Sequence, residues 1–329
     1  MIKKIVPVDL HLPGADPFLF CAHHLDHFPQ GNAGMGLDLP HLEGRDIGHD
    51  FQSKDGFRMY HGSDVPGFPV HPHRGFETIT IARQGFIDHA DSLGAAGRFG
   101  EGDVQWMTAG KGVQHSEMFP LLNEQKGNTM EIFQIWLNLP KKNKMVDPEF
   151  KMLWSQKIPK YQGDNTEVTV IHGKYKSTEY FASTEASWAK DPKHEVNIFL
   201  VNLKKGATFE MPKAATNTNR IIYLYQGGKA RIQGQSIAAN HAAYLDGSTA
   251  LQVTAEADLD LLYLEGQPIN EPVVQHGPFV MNTKQEIIDA INDYNETQFG
   301  GWSWDRSDAV HDKLSGRFAK YPDGKIEKP

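Results

Sequence analysis

Residues 71–77 read His-Pro-His-Arg-Gly-Phe-Glu and residues 115–117 read His-Ser-Glu. In each, the side chains that can ligate a metal stand two positions apart. That spacing places them on one face of an extended strand, about 6.6 Å apart along it, whereas on a helix they point in different directions. Pro72 supports the extended conformation, because it disfavours the helical region for the preceding residue and has no N–H to donate. Both stretches are therefore predicted to be β-strands.

Four side chains in these stretches form a candidate metal site: His71, His73, His115 and Glu117. Metal–ligand distances of about 2.0–2.2 Å require the donor atoms to meet in a very small volume. Two adjacent strands that face the inside of a small barrel supply such a volume, although 41 residues separate the stretches in the chain. Three imidazoles and one carboxylate leave one or two coordination positions open, as a catalytic site needs.

Spacing alone leaves the carboxylate ligand open between two glutamates. Glu77 has the same parity as His71 and His73, and it shares their face if the strand has no bulge. Its other role would be to accept a hydrogen bond that orients a ligand imidazole. The alternative to a metal site is a set of solvated residues at a barrel rim, because 16 histidines make chance pairs possible.

Composition excludes several classes of partner. The 329 residues carry a formal net charge of −8 without an evident basic patch, so direct binding to nucleic acid or to an anionic membrane is not expected. The basic cluster 141–144 is interpreted as a solvated loop. Cys21 is the only cysteine, which excludes an intramolecular disulfide and a cysteine-rich zinc site. The absence of a signal-like N-terminus and of an apolar run of about 18 residues favours a cytoplasmic protein.

Most of the chain has the pattern of β-structure. Short β-branched runs between turn residues, such as 78–81 and 168–171, are typical of a sandwich or barrel. One clear helix is predicted to begin near Thr283, which forms a capping box with Glu286. Its apolar stripe is predicted to consist of Ile287, Ile288, Ile291 and Tyr294.

A weak internal repeat divides the chain, because an apolar run that ends at Gly85 has a counterpart that ends at Gly227. The segment between them is rich in Lys, Asp, Ser and Pro, as expected of a linking region. We predict an N-terminal metal-binding barrel at residues 1–140, a linking region at 141–193, and a C-terminal barrel with a helix and tail at 194–329.

The second barrel is predicted to hold no metal. The residues that stand as far before Gly227 as His71 and His73 stand before Gly85 are Lys213 and Ala215, and neither offers an imidazole. The histidine-rich segment 23–27 is interpreted as a solvated loop, because adjacent histidines point to different sides.

Residues 71–78 and 102–118 resemble the signature of the pirin family, which belongs to the cupin superfamily. The resemblance continues through 133–140 and 270–283 and is weakest over 141–220. It implies an all-β fold of two tandem cupin barrels, each a double-stranded β-helix or jelly roll, followed by a C-terminal helix. The four residues that ligate one iron in pirins fall on His71, His73, His115 and Glu117, so the resemblance selects Glu117 over Glu77.

Two functions follow from this resemblance. The first is that of a pirin-type quercetinase, a dioxygenase that opens the ring of a flavonol with O2, with Glu117 as both metal ligand and catalytic base. The second is that of a non-enzymatic, redox-sensitive co-regulator that acts through a protein partner. Either would hold one divalent metal per chain; Fe(II) is expected, and Ni, Cu, Zn, Mn or Co also suit three histidines and a glutamate. No other cofactor is predicted, and a monomer is the default expectation.

Overall fold

The computed structural model describes residues 1–215 and 217–329. Its strands are, in chain order, β1 (Ile2–Pro7), β2 (His11–Pro13), β3 (Phe18–Phe28), β4 (Gly67–His73), β5 (Phe76–Gln84), β6 (Phe86–Asp91), β7 (Ala96–Gly100), β8 (Asp103–Thr108), β9 (Val113–Met118), β10 (Asn128–Asn138), β11 (Glu149–Leu153), β12 (Lys160–Gly163), β13 (Thr166–Tyr175), β14 (Thr178–Tyr180), β15 (Asn197–Leu203), β16 (Thr208–Met211), β17 (Asn219–Gly227), β18 (Ala230–Ile232), β19 (Gln235–Ile237), β20 (His241–Asp246), β21 (Leu251–Ala255), β22 (Leu259–Gly266), β23 (Val274–His276), β24 (Phe279–Met281), β25 (Phe318–Lys320) and β26 (Ile326–Glu327). The α-helices are α1 (Leu39–Leu42) and α2 (Lys284–Thr297), and short 3-10 turns lie at Lys141–Asn143, Trp188–Lys190, Pro192–His194 and Gln298–Gly300. The predicted all-β class is confirmed.

The chain forms two compact units. The first β-roll unit contains residues 23–134, 141–155 and 272–329, and the second β-roll unit contains residues 1–22, 135–140 and 156–271. These units are not consecutive in the chain, whereas the predicted ranges 1–140, 141–193 and 194–329 are. The segment expected to link the barrels instead supplies β11 to the first unit and β12–β14 to the second, because its apolar residues pair with strands of each roll. The division of the chain into barrels at 1–140 and 194–329 with a linking region at 141–193 stays a prediction.

The two units repeat one pattern of strand pairing. In the first unit β5 lies between β8 and β10, while β9 lies between β4 and β6. In the second unit β17 lies between β20 and β22, while β21 lies between β16 and β18. The order and antiparallel sense of seven strands, β4–β10 and β16–β22, are therefore the same in both. This confirms the internal repeat that the sequence indicated.

The repeated glycines stand where a side chain would not fit. Gly85 has φ +75°, and a Cβ there would lie 2.8 Å from the Thr129 carbonyl oxygen. Gly227 has φ +90°, and a Cβ there would lie 2.3 Å from the Asp258 carbonyl oxygen. Both glycines turn a strand tightly into the next one, which explains why this element of the repeat is visible in the sequence.

Helix α2 begins where the capping box predicted. The Thr283 hydroxyl accepts a hydrogen bond from the backbone N–H of Glu286, whose carboxylate accepts one from the backbone N–H of Thr283. Ile287 is buried, and Ile291 and Tyr294 are partly buried against the same small cluster. The inclusion of Ile288 in the apolar stripe was wrong, because that side chain is 50% exposed. Among the described residues, no helix combines the length and apolarity needed to cross a bilayer.

The C-terminal tail packs within the first unit. Strand β25 pairs with β7, and the guanidinium of Arg98 donates to the backbone carbonyls of His311, Asp312 and Lys313. Arg98 and Asp88 form a fully buried ion pair, with both nitrogen–oxygen distances at 2.7 Å. The tail thus completes the hydrogen bonding of a buried charge.

Candidate metal centre

Strands β4 and β9 carry the predicted ligands and lie side by side. They pair antiparallel with His71 opposite His115, and the register shifts between Phe68 and His71. Because the ligand positions alternate along each strand, the side chains of both strands project to the same side. The extended conformation predicted for both stretches is therefore confirmed.

Three imidazoles converge at this pair of strands. Each of His71, His73 and His115 offers a ring nitrogen, and these nitrogens lie within 4.8 Å of one another. Burial lowers the pKa of His71 to about 4 and that of the other two rings well below the usual value. The rings are therefore neutral at pH 7, and neutral imidazole is the form that ligates a metal.

The hydrogen bonding of the rings suits metal ligation. His71 Nδ1 lies 2.8 Å from the Pro69 carbonyl oxygen, so Nδ1 carries the proton and the Nε2 lone pair faces away. His115 is completely buried, and within the described part of the chain neither of its ring nitrogens forms a hydrogen bond. A buried ring without hydrogen bonds is costly unless another partner takes its lone pair. The residues present fit a metal ion.

Glu117 lies beside the three imidazoles. Its Oε2 is 3.9 Å from His115 Nε2. Oε1 accepts a hydrogen bond from the Thr80 hydroxyl at 3.0 Å, and Oε2 accepts one from Gln134 Nε2 at 2.8 Å. Burial raises the pKa of this carboxyl group, while both hydrogen bonds act in the opposite direction. Three nitrogen donors and a nearby carboxylate form a donor set that divalent transition metals accept.

Glu77 has a different environment. It is fully buried, and its Oε1 accepts hydrogen bonds from Trp106 Nε1 at 3.2 Å and from the Thr108 hydroxyl at 2.7 Å. Both donors belong to β8, the strand that pairs with β5. The rival carboxylate thus joins two neighbouring strands through its hydrogen bonds.

The sequence analysis missed a buried polar network behind Glu117. His24 Nε2 lies 3.2 Å from the Oε1 of Gln134, and His24 Nδ1 lies 2.8 Å from the Tyr60 hydroxyl. Tyr60 donates to Asp26 at 2.6 Å, and burial raises the pKa of Asp26. The interpretation of residues 23–27 as a solvated loop was wrong, because they lie in β3 with His24 and Asp26 buried. His24 and Asp26 stand two positions apart, so they lie on the same face of a strand. That spacing was the signal in the sequence that could have indicated this network.

The basic cluster at 141–144 also differs from its prediction. Lys144 is 1% exposed, and its Nζ donates to the carbonyls of Gly75 at 2.6 Å and Val280 at 3.0 Å. The interpretation of the whole cluster as a solvated loop was therefore wrong for this lysine, which connects two backbone segments of the first unit.

In the second unit the positions that correspond to the metal site are apolar. His73 lies opposite Val113 in the strand pair β4–β9, and Met211 lies opposite Leu251 in the corresponding strand pair β16–β21. We use these two residue pairs to align the repeated strands. The equivalents of His71, His73, His115 and Glu117 are then Phe209, Met211, Val253 and Ala255, and all four lie in the hydrophobic core. The count that led to Lys213 and Ala215 was wrong, because more residues separate β16 from β17 than separate β4 from β5.

Comparison with known proteins gives consistent matches. Residues 16–137 match the family model described as Pirin, and residues 198–300 match the Pirin C-terminal cupin domain. A pirin-like protein from Solanum lycopersicum is 39% identical over 273 residues, which cover 80% of this chain and 87% of that protein. Pirin-1 from Arabidopsis thaliana is 38% identical over 240 residues, which cover 71% of this chain and 78% of the relative. The crystal structure of a quercetin 2,3-dioxygenase from Acinetobacter baumannii aligns with a TM-score of 0.73 at 28% identity, covering 91% of this chain and 98% of that chain.

Proposed function

This chain belongs to the pirin family, with the two cupin domains that the sequence predicted, and we propose that it is a metal-dependent dioxygenase that opens the ring of a flavonol with O2. The observation that carries the proposal is the group of three neutral imidazoles, two of them buried and one half-buried, with Glu117 beside it. The likeness to a solved quercetin 2,3-dioxygenase supports the choice of substrate class.

We assign the metal to His71, His73, His115 and Glu117, and Fe(II) is the metal that we expect in the cell. When bound, the metal would act as a Lewis acid that favours the deprotonated form of the substrate's hydroxyl group. The three histidines supply neutral nitrogen donors, because burial keeps their pKa values below the usual range. The burial of His73 and His115 limits the access of water to those two donors.

Glu117 is proposed as the base that takes the proton of the flavonol hydroxyl group. Burial raises the pKa of its carboxyl group, so the group is a stronger base than an exposed glutamate. Thr80 and Gln134 hold one carboxylate oxygen each and fix the direction in which a lone pair is presented. The proton would rest on the carboxylate oxygen that faces the substrate.

Aromatic side chains next to the imidazoles suit a flat substrate. The Phe68 ring lies 6.3 Å from the ring of His71 and 5.1 Å from that of Tyr60, and it also contacts His61 edge-on. Aromatic walls favour planar ring systems through offset and edge-to-face contacts. This environment supports a flavonol-like substrate over a sugar or an aliphatic acid.

The test is oxygen uptake and carbon monoxide release when quercetin is added to protein loaded separately with each candidate metal. We expect activity with at least one metal, and we expect Glu117→Gln to abolish turnover while the histidines retain part of the metal. Inactivity of every metal form across a panel of flavonols would overturn the proposal and favour the co-regulator alternative. Undiminished turnover in Glu117→Gln would refute the role of this residue as the base.

A further inference from the structure

Each histidine of the candidate metal centre has a chain neighbour that forms a hydrogen bond with the C-terminal part of the chain. These neighbours are Val70 before His71, Arg74 after His73 and Gln114 before His115. Their partners, which we call the C-terminal clasp, are Asp293, Tyr294, Gln298, Gly301 and Ser307. All of these residues belong to the first β-roll unit.

Gln114 has both ends of its side-chain amide held by the clasp. Its Nε2 donates to the backbone carbonyls of Gln298 at 2.6 Å and Gly301 at 3.2 Å, and its Oε1 accepts a hydrogen bond from the Tyr294 hydroxyl at 2.8 Å. The residue is 3% exposed. Because neighbours along a strand point to opposite faces, these contacts lie on the side of β9 away from the His115 ring. The clasp therefore supports β9 from behind the ligand.

The backbone next to His71 is also held by the clasp. Strand β4 stands at the end of its sheet with β9 as its neighbour, and the register of this pair shifts between Phe68 and His71. Such an irregularity interrupts the ladder of hydrogen bonds and changes the direction of a side chain. Within it, the backbone N–H of Val70 donates to the carbonyl of Ser307 at 2.7 Å. This contact fixes the irregular stretch immediately before a ligand.

Arg74 connects the end of β4 to two other segments. It is 6% exposed, and its Nη1 donates to Asp293 Oδ2 of helix α2 at 2.7 Å. Its Nε donates to the Lys111 carbonyl, in the turn before β9, at 2.6 Å. Its guanidinium carbon lies 4.5 Å from the centre of the Phe299 ring. One charged group thus joins the turns next to both ligand strands to α2, through hydrogen bonds that are stronger than those between neutral groups.

The clasp is itself held on the far side of Ser307. Trp304 Nε1 donates to the Asp91 carbonyl at 2.8 Å. The buried guanidinium of Arg98 donates to the backbone carbonyls of residues 311–313. The segment that contains Ser307 is therefore fixed at both ends and can support β4.

We propose that the C-terminal clasp positions the three imidazoles for metal binding, with Tyr294 and Asp293 as positioning residues that act through Gln114 and Arg74. A metal ion requires its donor atoms to be held within narrow limits, and hydrogen bonds behind the ligands provide that constraint. This inference rests on the assignment of the metal to the three histidines and Glu117 in the proposed function. It adds that residues about 180 positions further along the chain set the arrangement of the donors.

The test uses the full chain loaded with Co(II). The visible absorption bands of bound Co(II) depend on the arrangement of its ligands, so they report on the site without any catalytic assay. The rate at which a chelator removes the ion is measured on the same samples. Urea unfolding of the metal-free protein gives the stability of each variant separately.

Tyr294→Phe removes the hydroxyl group that donates to Gln114. We expect altered Co(II) bands and removal of the ion about three- to tenfold faster than from the parent protein, as expected for the loss of one hydrogen bond. The matched control is Tyr321→Phe, whose lost hydroxyl donates to Glu327 at 3.0 Å. This control should retain the bands and the removal rate of the parent protein.

Asp293→Ala removes the carboxylate that pairs with Arg74, and we expect changes in the same direction. Asp293→Glu keeps a carboxylate and should restore most of the parent behaviour. The control is Asp289→Ala on the same helix, where the lost carboxylate accepts a hydrogen bond from Gln285 at 2.9 Å. The side chain of Asp293 is half exposed, so its replacement tests the clasp even if Tyr294→Phe impairs folding.

The inference is overturned if folded Tyr294→Phe and Asp293→Ala keep the Co(II) bands and the removal rate of the parent protein. A change confined to urea unfolding would also overturn it, because it would assign the clasp a structural role alone. A parent protein that binds no Co(II), or His115→Ala that binds it equally well, would instead show that the metal assignment is wrong, and the inference would fall with it. Inactivity towards flavonols would leave the inference standing, since neither readout requires turnover.

Discussion

Gln134 donates a hydrogen bond from its Nε2 to the Oε2 of Glu117 at 2.8 Å, and its Oε1 faces His24 Nε2 at 3.2 Å. The amide is thus held from both sides. This contact fixes the orientation of the carboxylate that we propose as the base, and it favours the charged form of that carboxylate.

We expect Gln134→Leu to lower kcat/KM roughly ten- to a hundredfold, because a hydrogen bond to a charged group contributes about 1.5–3 kcal/mol. Loss of the donor also raises the pKa of the Glu117 carboxyl group, so the acidic limb of the kcat/KM profile should move to higher pH. Steady-state rates measured between pH 5 and pH 8 check both effects, with the exposed Gln275→Leu as control. An unchanged pH profile would show that Gln134 does not act through Glu117.

Metal content provides a test that does not require activity. We expect His115→Ala to lose most of its bound metal, because removal of one of three imidazoles leaves an incomplete donor set. The control is His276→Ala, whose side chain is exposed and lies outside the site. Elemental analysis after dialysis gives the metal-to-protein ratio. Equal ratios in the two variants would contradict the assignment of the three histidines.

Glu77→Ala distinguishes the two glutamates. This change removes an acceptor used by Trp106 and Thr108, and it should lower the free energy of unfolding by about 2–4 kcal/mol while metal content is retained. Urea unfolding and elemental analysis measure the two effects, with the exposed Glu296→Ala as control. If the variant does not fold, Thr108→Val removes one of the same hydrogen bonds. Loss of metal from folded Glu77→Ala would identify Glu77 as a ligand.

His172 should make stability depend on pH. Burial lowers the pKa of its imidazole to about 4, below the usual value near 6.5, although Nε2 retains a hydrogen bond to the Ala189 carbonyl at 3.0 Å. Between these pH values the unfolded chain binds a proton that the folded protein does not. Stability is therefore highest above pH 6.5 and falls as the pH decreases towards 4, by at most about 3 kcal/mol from this residue.

The difference between the parent protein and His172→Gln isolates this contribution, because other buried histidines act with the same sign. We expect the unfolding free energy of the variant to decrease less between pH 7 and pH 4.5. His276→Gln serves as the control and should follow the parent protein. Parallel curves for the parent and His172→Gln would exclude the effect.

Much of the fold could be predicted from local pattern. The capping box at Thr283 and Glu286 fixed the start of α2, because it depends only on residues three positions apart. The exposure of Ile288 was not predictable in this way, since it depends on which neighbours cover each side of the helix. Likewise, the burial of His24 and Asp26 depends on contacts with Tyr60, which is distant in sequence.

Alternation along a strand is a property of the backbone, so local pattern was enough to predict that the donor residues of each strand share a face, while the two β-rolls were predicted from the resemblance to pirins. How those donors meet, and what surrounds them, depends on the packing of the folded chain. In the folded chain His71 lies opposite His115, and Thr80 and Gln134 donate hydrogen bonds to the carboxylate of Glu117. Glu77 instead accepts a hydrogen bond from Thr108 of β8. The reason is physical: convergence of side chains and the loss of solvent around them depend on strand register and on packing between segments far apart in the chain.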